Sequence, residues 1–127
     1  MEEATRILIV DDNADIRATM SLILKFQGYN VSTACNGREA IERVSEQPFD
    51  VTFMDIKMPV MDGVESFKRI HEMKPDAVVV MMTAYAVEDL VQEARLKGAY
   101  GIVYKPVDME RLIELIESVK NKKADKM

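Results

Sequence analysis

Three carboxylates, one hydroxyl and one amine stand out in this 127-residue chain: Asp11, Asp12, Asp55, Thr83 and Lys105. Brought into one cleft, the three acids would repel one another. Two unit charges about 4 Å apart cost about 4 kcal/mol at an effective dielectric near 20. Such a cluster needs cations. Lys105 supplies one, and the remainder calls for a hard divalent ion held by oxygen, with Mg²⁺ the natural choice and Mn²⁺ an alternative. A metal, an amine and a hydroxyl around a carboxylate suit phosphoryl transfer, whose transition state spreads charge over three equatorial oxygens. Asp55 would be the nucleophile that forms an acyl phosphate, and Lys105 and Thr83 would take the other oxygens. A single Asp after a strand is ordinarily a turn or cap residue. Only the conjunction of all five gives weight to the chemical reading.

The elements that must position these residues are legible as periodicity. Five apolar, strand-like runs alternate with helical patterns. The strands are expected over Arg6–Val10, ending in Asp11-Asp12; Asn30–Cys35, more polar and therefore at an edge; Val51–Met54, ending at Asp55; Ala77–Met82, ending at Thr83; and Gly101–Tyr104, ending at Lys105-Pro106. Between them run apolar stripes: Ile16, Met20, Ile23 and Leu24; Ala40, Ile41 and Val44; Val64, Phe67 and Ile70; Val87, Leu90, Val91 and Ala94; and Met109, Leu112, Ile113, Ile116 and Val119. Asn36 with Glu39 has capping-box spacing, Asp108 suits a cap, and Gly28 and Gly98 suit helix stops. Strict alternation implies an α/β doubly wound parallel sheet with right-handed crossovers. In such sheets the site lies outside the carboxyl ends of the strands, where all five residues fall. Consecutive strand residues point to opposite faces. Asp11 and Asp12 can therefore both reach an ion only because the strand ends there, one of them acting through water.

Composition narrows the remaining classes. The length suits one domain, 1–127 with a core over about 5–122. The net charge of −5 argues against nucleic acid as a direct partner, and no apolar stretch approaches a membrane span. The basic run Lys120–Lys123 reads as a solvated helix end. Cys35 is the only cysteine and no apolar leader opens the chain, which together point to the cytoplasm. Cys35 reads as a packed strand end, His71 as an outer helix residue, and the ten methionines as core filling.

The motifs carry a resemblance that covers roughly residues 5–122. Val10-Asp11-Asp12-Asn13, the segment Asp55-Ile56-Lys57-Met58-Pro59-Val60-Met61-Asp62-Gly63, Met82-Thr83-Ala84-Tyr85 and Lys105-Pro106 are similar to the signatures of response-regulator receiver domains of two-component and phosphorelay signalling. The resemblance implies a (βα)5 flavodoxin-like fold with strand order 2-1-3-4-5 and a cis Lys105–Pro106 bond. It implies that Asp55 accepts phosphoryl from a phosphohistidine of a sensor kinase or phosphotransfer protein. Asp12, Asp55 and the Lys57 carbonyl would bind Mg²⁺, and Asp11 would bind it mainly through water. Pro59 would restrict the loop after the acceptor, and Gly63 would permit a turn before the third helix.

Several positions depart from the common pattern or refine it. Many receivers carry an aromatic three residues before the strand-five lysine, and here that switch position is Ile102; Tyr104, two residues on, is the aromatic on the same strand face. Lys57 and Tyr85 flank the acceptor and the hydroxyl, where they would cover the phosphoryl group, obstruct in-line water and lengthen its lifetime. Leu96 lies opposite the fourth helix's stripe, on the helix 4–strand 5–helix 5 face that often forms the output surface in this family. A metal-dependent phosphatase with an Asp nucleophile commonly has a second acid two residues later, and Lys57 occupies that place. A degenerate, purely protein-binding receiver usually lacks one of the key residues, and all are present. The sequence is thus read as a switch, not a turnover enzyme, either stand-alone or cut from a longer chain.

Overall fold

Short runs of aliphatic residues with no polar alternation form strands only where both faces are covered. The computed structural model, which describes residues 4–58, 61–84 and 88–125 (123–125 by backbone alone), shows that arrangement. In chain order the elements are β1 (Arg6–Val10), α1 (Ala14–Phe26), β2 (Asn30–Ala34), α2 (Gly37–Glu46), β3 (Val51–Asp55), α3 (Gly63–Met73), β4 (Val79–Thr83), α4 (Glu88–Leu96), β5 (Gly101–Tyr104) and α5 (Met109–Asp125). The five strands are all parallel and ordered β2-β1-β3-β4-β5.

The period of two along each strand divides the core between the two faces. Leu8, Val10, Met54, Ile56, Val79 and Met81 pack against α2, α3 and α4 through residues such as Val44, Phe67, Ile70 and Val91. Ile7, Ile9, Val51, Phe53, Val80, Met82 and Val103 pack against α1 and α5 through Met20, Leu24, Leu112 and Ile116. Met54, Met81 and Met82 are wholly buried, as core filling requires.

Helix ends follow local chemistry. Asn13, Asn36 and Asp62 each accept backbone N–H groups at a helix start. Asp108 accepts the Glu110 N–H ahead of α5. Gly28 and Gly98 adopt φ of 95° and 100°, the left-handed conformation that ends α1 and α4.

Two strand boundaries differ from the sequence expectation. β2 stops at Ala34, whose carbonyl takes the Asp11 N–H as the last bond toward β1, and the next N–H, of Cys35, turns to the Glu39 carboxylate at 3.2 Å. The Glu39 side chain thus reaches back one residue further than in an ordinary capping box. β4 begins at Val79 because Ala77 is held in a turn by Lys74, N–H to carbonyl at 3.0 Å. Cys35 is half-buried, and its Sγ donates to Glu39 Oε2 at 2.9 Å, so it is a hydrogen-bonded turn residue and not a packed strand end. Glu39's carboxylate raises the thiol pKa. His71 is half-buried, its ring tilted against Phe67 at 5.8 Å. The basic run is only partly a solvated end, since Lys122 Nζ lies 4.9 Å from the Tyr100 ring centre. Pro59, Tyr85 and Val87 lie outside the described residues, as does the side chain of Lys123.

Candidate functional site

The site is assembled by strand register. β1, β3, β4 and β5 end level with one another. The Ile56 N–H donates to the Met82 carbonyl and the Lys105 N–H to the Thr83 carbonyl, both at 2.8 Å, while Asp55 pairs with Met82 and Thr83 with Tyr104. Asp11, Asp55 and Thr83 are buried at these ends, and Asp12 is exposed. Carboxylate oxygens of Asp11, Asp12 and Asp55 all lie within 4.8 Å of one another, the one such group of potential metal ligands among the described residues.

Lys105 reaches across the cluster. Its Nζ lies 2.6 Å from Asp11 Oδ2 and 3.2 Å from Asp55 Oδ2. The Lys105–Pro106 bond is cis, as the resemblance implied. Burial pulls the Lys105 pKa down, but the hydrogen bond to Asp11 and the charges of Asp55 and Asp11 outweigh it, so the ammonium is held charged. Burial pushes the Asp55 pKa up. Lys105 opposes this, Asp11 adds to it, and the net direction remains upward even with the Lys57 N–H bonded to the carboxylate.

The two neighbouring acids of β1 are not equivalent. Asp11 Oδ1 accepts the Asn13 N–H at 2.9 Å, while Oδ2 takes Lys105. Its backbone carbonyl accepts from the Arg17 guanidinium at 2.7 Å. Asp11 is therefore committed to the protein, whereas Asp12 faces solvent. Asn13 and Arg17 belong to the site's support; the sequence reading named Asn13 only as part of the first motif and passed over Arg17. An Asn just ahead of an apolar helical stripe is a readable cap signal; nothing in the pattern marks Arg17.

Gly63 has a different role from the turn that the sequence suggested. It is the first residue of α3, its N–H donates to the Ile56 carbonyl at 2.7 Å, and a Cβ there would lie 2.1 Å from the Asp55 carbonyl oxygen. Only a residue without a side chain lets α3 start against the acceptor strand.

The remaining positions fall as follows. Lys57 is exposed beside the cluster. Ile102 is half-buried against the core under α3 and α4, and Tyr104 is 51% exposed. Leu96 is 85% exposed on α4. None of the helices among the described residues is long and apolar enough to cross a membrane.

Three oxygen-donor carboxylates against one ammonium leave two negative charges, and the donor set is hard. The residues present therefore fit a small divalent cation with oxygen preference.

Comparison with known proteins agrees with this geometry. Residues 7–117 match the family described as the response regulator receiver domain. The chemotaxis protein CheY of Thermotoga maritima is 37% identical over 115 residues, covering 90% of this chain and 96% of that protein. A receiver domain protein (CheY-like) from Methanospirillum hungatei JF-1 superposes with a TM-score of 0.91 at 31% identity, over 97% of this chain and 99% of that one. A CheX–CheY–BeF3–Mg complex from Borrelia burgdorferi superposes with a TM-score of 0.84 at 32% identity, over 91% of this chain and 88% of that one. The chain spans about a quarter of the length of longer relatives such as the transcriptional regulatory protein ZraR of Klebsiella oxytoca, to which it is 39% identical over 110 residues.

Proposed function

Since the chain belongs to the response-regulator receiver family of two-component signalling, we propose that it is a phosphoacceptor switch, with Asp55 taking a phosphoryl group from a phosphohistidine. The observation that carries this reading is the Lys105 ammonium bridging Asp11 and Asp55 inside a cluster of three carboxylates.

In this reading a carboxylate oxygen of Asp55 attacks phosphorus in line with the imidazole nitrogen. A P–O bond forms as the P–N bond breaks, and the imidazole departs with the electron pair. Lys105, fixed by Asp11, supplies positive charge to the phosphoryl oxygens. The Thr83 hydroxyl, at the adjacent strand end, donates to another. Asp12 and Asp55, with the Lys57 carbonyl, would hold a divalent cation, and Asp11, whose oxygens already accept from Asn13 and Lys105, would reach it through water. Mg²⁺ would neutralise the two surplus charges and screen the oxygens of the incoming group; the Mg²⁺ named with the Borrelia relative supports that choice over Mn²⁺.

Residues 1–127 act as one unit in the cytoplasm, with a sensor kinase or phosphotransfer protein as donor. The protein does not turn over external phosphoesters, since Lys57 stands where a phosphatase of this chemistry would carry its second acid. Leu96 and Tyr104, exposed on the α4–β5–α5 side, serve output contacts, with Ile102 and Tyr104 in place of the usual aromatic switch.

The test is intact-mass analysis after incubation with acetyl phosphate, with and without Mg²⁺. One phosphoryl adduct is expected, dependent on Mg²⁺ and lost in Asp55→Asn. An adduct of equal yield in that variant would overturn the assignment.

A further inference from the structure

The chain carries net negative charge, yet a cleft of about 540 Å³ at the β2 edge gathers Arg17, Lys25 and Arg43 against the single acid Glu46. None of the three cations forms an ion pair among the described residues. Arg17 and Arg43 instead donate to backbone carbonyls, of Asp11 at 2.7 Å and Thr33 at 3.2 Å. The cleft has α1 as one wall, α2 as the other and β2 as its floor. The α1 wall is low, because Ala18 and Ser21 leave room beside the strand. Ser21 Oγ is buried without a hydrogen-bond partner, a state that costs about 1–3 kcal/mol.

The floor is an open strand edge. The Asn30 N–H bonds to Thr5 and the Ala34 carbonyl accepts from Asp11, so even-numbered residues of β2 face β1. By the alternation of a parallel ladder, Val31 and Thr33 direct their N–H and C=O groups outward. Arg43 Nε on the Thr33 carbonyl shows that outward direction and covers one of these groups with a side chain.

We propose that the β2 edge binds an extended acidic segment of a partner protein, which pairs with Val31 and Thr33 as a sixth strand. Backbone pairing supplies the register, as in other strand-addition interfaces. Arg43 leaves the Thr33 carbonyl, whose bond the incoming N–H replaces, and turns to a carboxylate of the segment. Lys25 and Arg17 take acids on the α1 side. Charge complementarity decides the occupant: three cations line the cleft against one acid, Glu46, which favours an acidic strand over a basic one. The five residues of the phosphoacceptor cluster are not used; Arg17, which also holds the Asp11 carbonyl, is the side chain the two sites share.

The probe is a synthetic peptide of roughly eight residues alternating Glu with Val or Thr, long enough to overlap a five-residue strand with flanks. Amide hydrogen exchange of the full chain is followed with and without the peptide, in the absence of metal and phosphodonor. Protection confined to the Val31 and Thr33 amides and their neighbours is expected. A Lys analogue of the peptide should give none, and Lys25→Glu with Arg43→Glu should weaken binding by roughly tenfold or more. Thr33→Pro removes an outward N–H without touching the β1 ladder, and should abolish protection while acetyl phosphate labelling continues. Failure of the acidic peptide to bind overturns the proposal. Equal binding of the Lys analogue overturns the acidic preference. Binding retained in Thr33→Pro without amide protection reduces the site to simple anion attraction and overturns the added strand.

Discussion

Replacing Lys105 with Met keeps most of the side chain's bulk and deletes the charge that holds the acid cluster together. At the observed 2.6 and 3.2 Å, unit charges attract by about 6 and about 5 kcal/mol at an effective dielectric of about 20. Desolvation of the buried ammonium offsets much of this, and breaking a buried pair costs about 3–5 kcal/mol in practice. For a chain of this size that is a loss of roughly 12–20 °C in Tm. The cost depends on pH. Lys105 has a raised folded pKa, so its contribution is complete at and below neutrality and is lost only as pH rises through that value. Asp55 has a folded pKa raised above its unfolded one, and losing the ammonium raises it further. A carboxylate shifted upward binds its proton more tightly when folded, so the variant regains stability as pH falls through the folded pKa. The gap between parent and Lys105→Met should therefore be widest near pH 7.5 in metal-free buffer and narrower at pH 5. Mg²⁺ should also narrow it, because the variant's acid cluster has lost a competing cation and binds the metal more tightly; each tenfold of extra affinity adds about 1.4 kcal/mol to the variant alone at saturating metal. Thermal and urea unfolding at both pH values, with and without Mg²⁺, measure all three effects. A variant as stable as the parent at pH 7.5 without metal, or a gap that does not change with pH, would refute the reasoning.

Asp55→Asn should raise Tm in metal-free buffer at pH 7.5, because it removes a charge the folded state disfavours; the gain should shrink at pH 5, and scanning fluorimetry would show a fall in Tm if the acids did not crowd one another. Gly63→Ala should cost about 1–3 kcal/mol or more, since the new Cβ must displace the Asp55 carbonyl from 2.1 Å toward an ordinary contact. Urea midpoints and initial labelling rates with acetyl phosphate both report on that contact, and a variant unchanged in both would show it to be slack. Lys57→Asn combined with Tyr85→Glu should hydrolyse the acyl phosphate several-fold faster, followed by loss of the mass adduct after gel filtration; equal rates would mean that neither side chain shields the phosphorus.

The five site residues were legible because each terminates an unmistakable apolar run, and the α/β sheet rule converts run ends into one location. Asp55 and Lys105, fifty residues apart, meet at 3.2 Å for that reason. What the pattern did not give were contacts made by backbone atoms. The Arg17 bond to the Asp11 carbonyl, the Asn13 N–H on the Asp11 carboxylate and the Gly63 approach to the Asp55 carbonyl all depend on the path of the chain, which periodicity does not encode. The same holds for the ends of β2 and β4. Cys35 and Ala77 look like strand residues by composition, but their N–H groups are claimed by Glu39 and Lys74. The inequality of Asp11 and Asp12 was foreseen in kind, since adjacent side chains diverge; which of them is buried required the structure.

β2 alone among the five strands places no side chain in the acid cluster. Under the proposed edge contact, substitutions at the outward-facing Val31 and Thr33 act on the chain's acquaintances without touching the cluster's five residues. The edge is thus the part of this molecule where a duplicated copy can drift toward a new associate without first surviving a loss of chemistry, while each of the other four strand ends is closed to that kind of exploration.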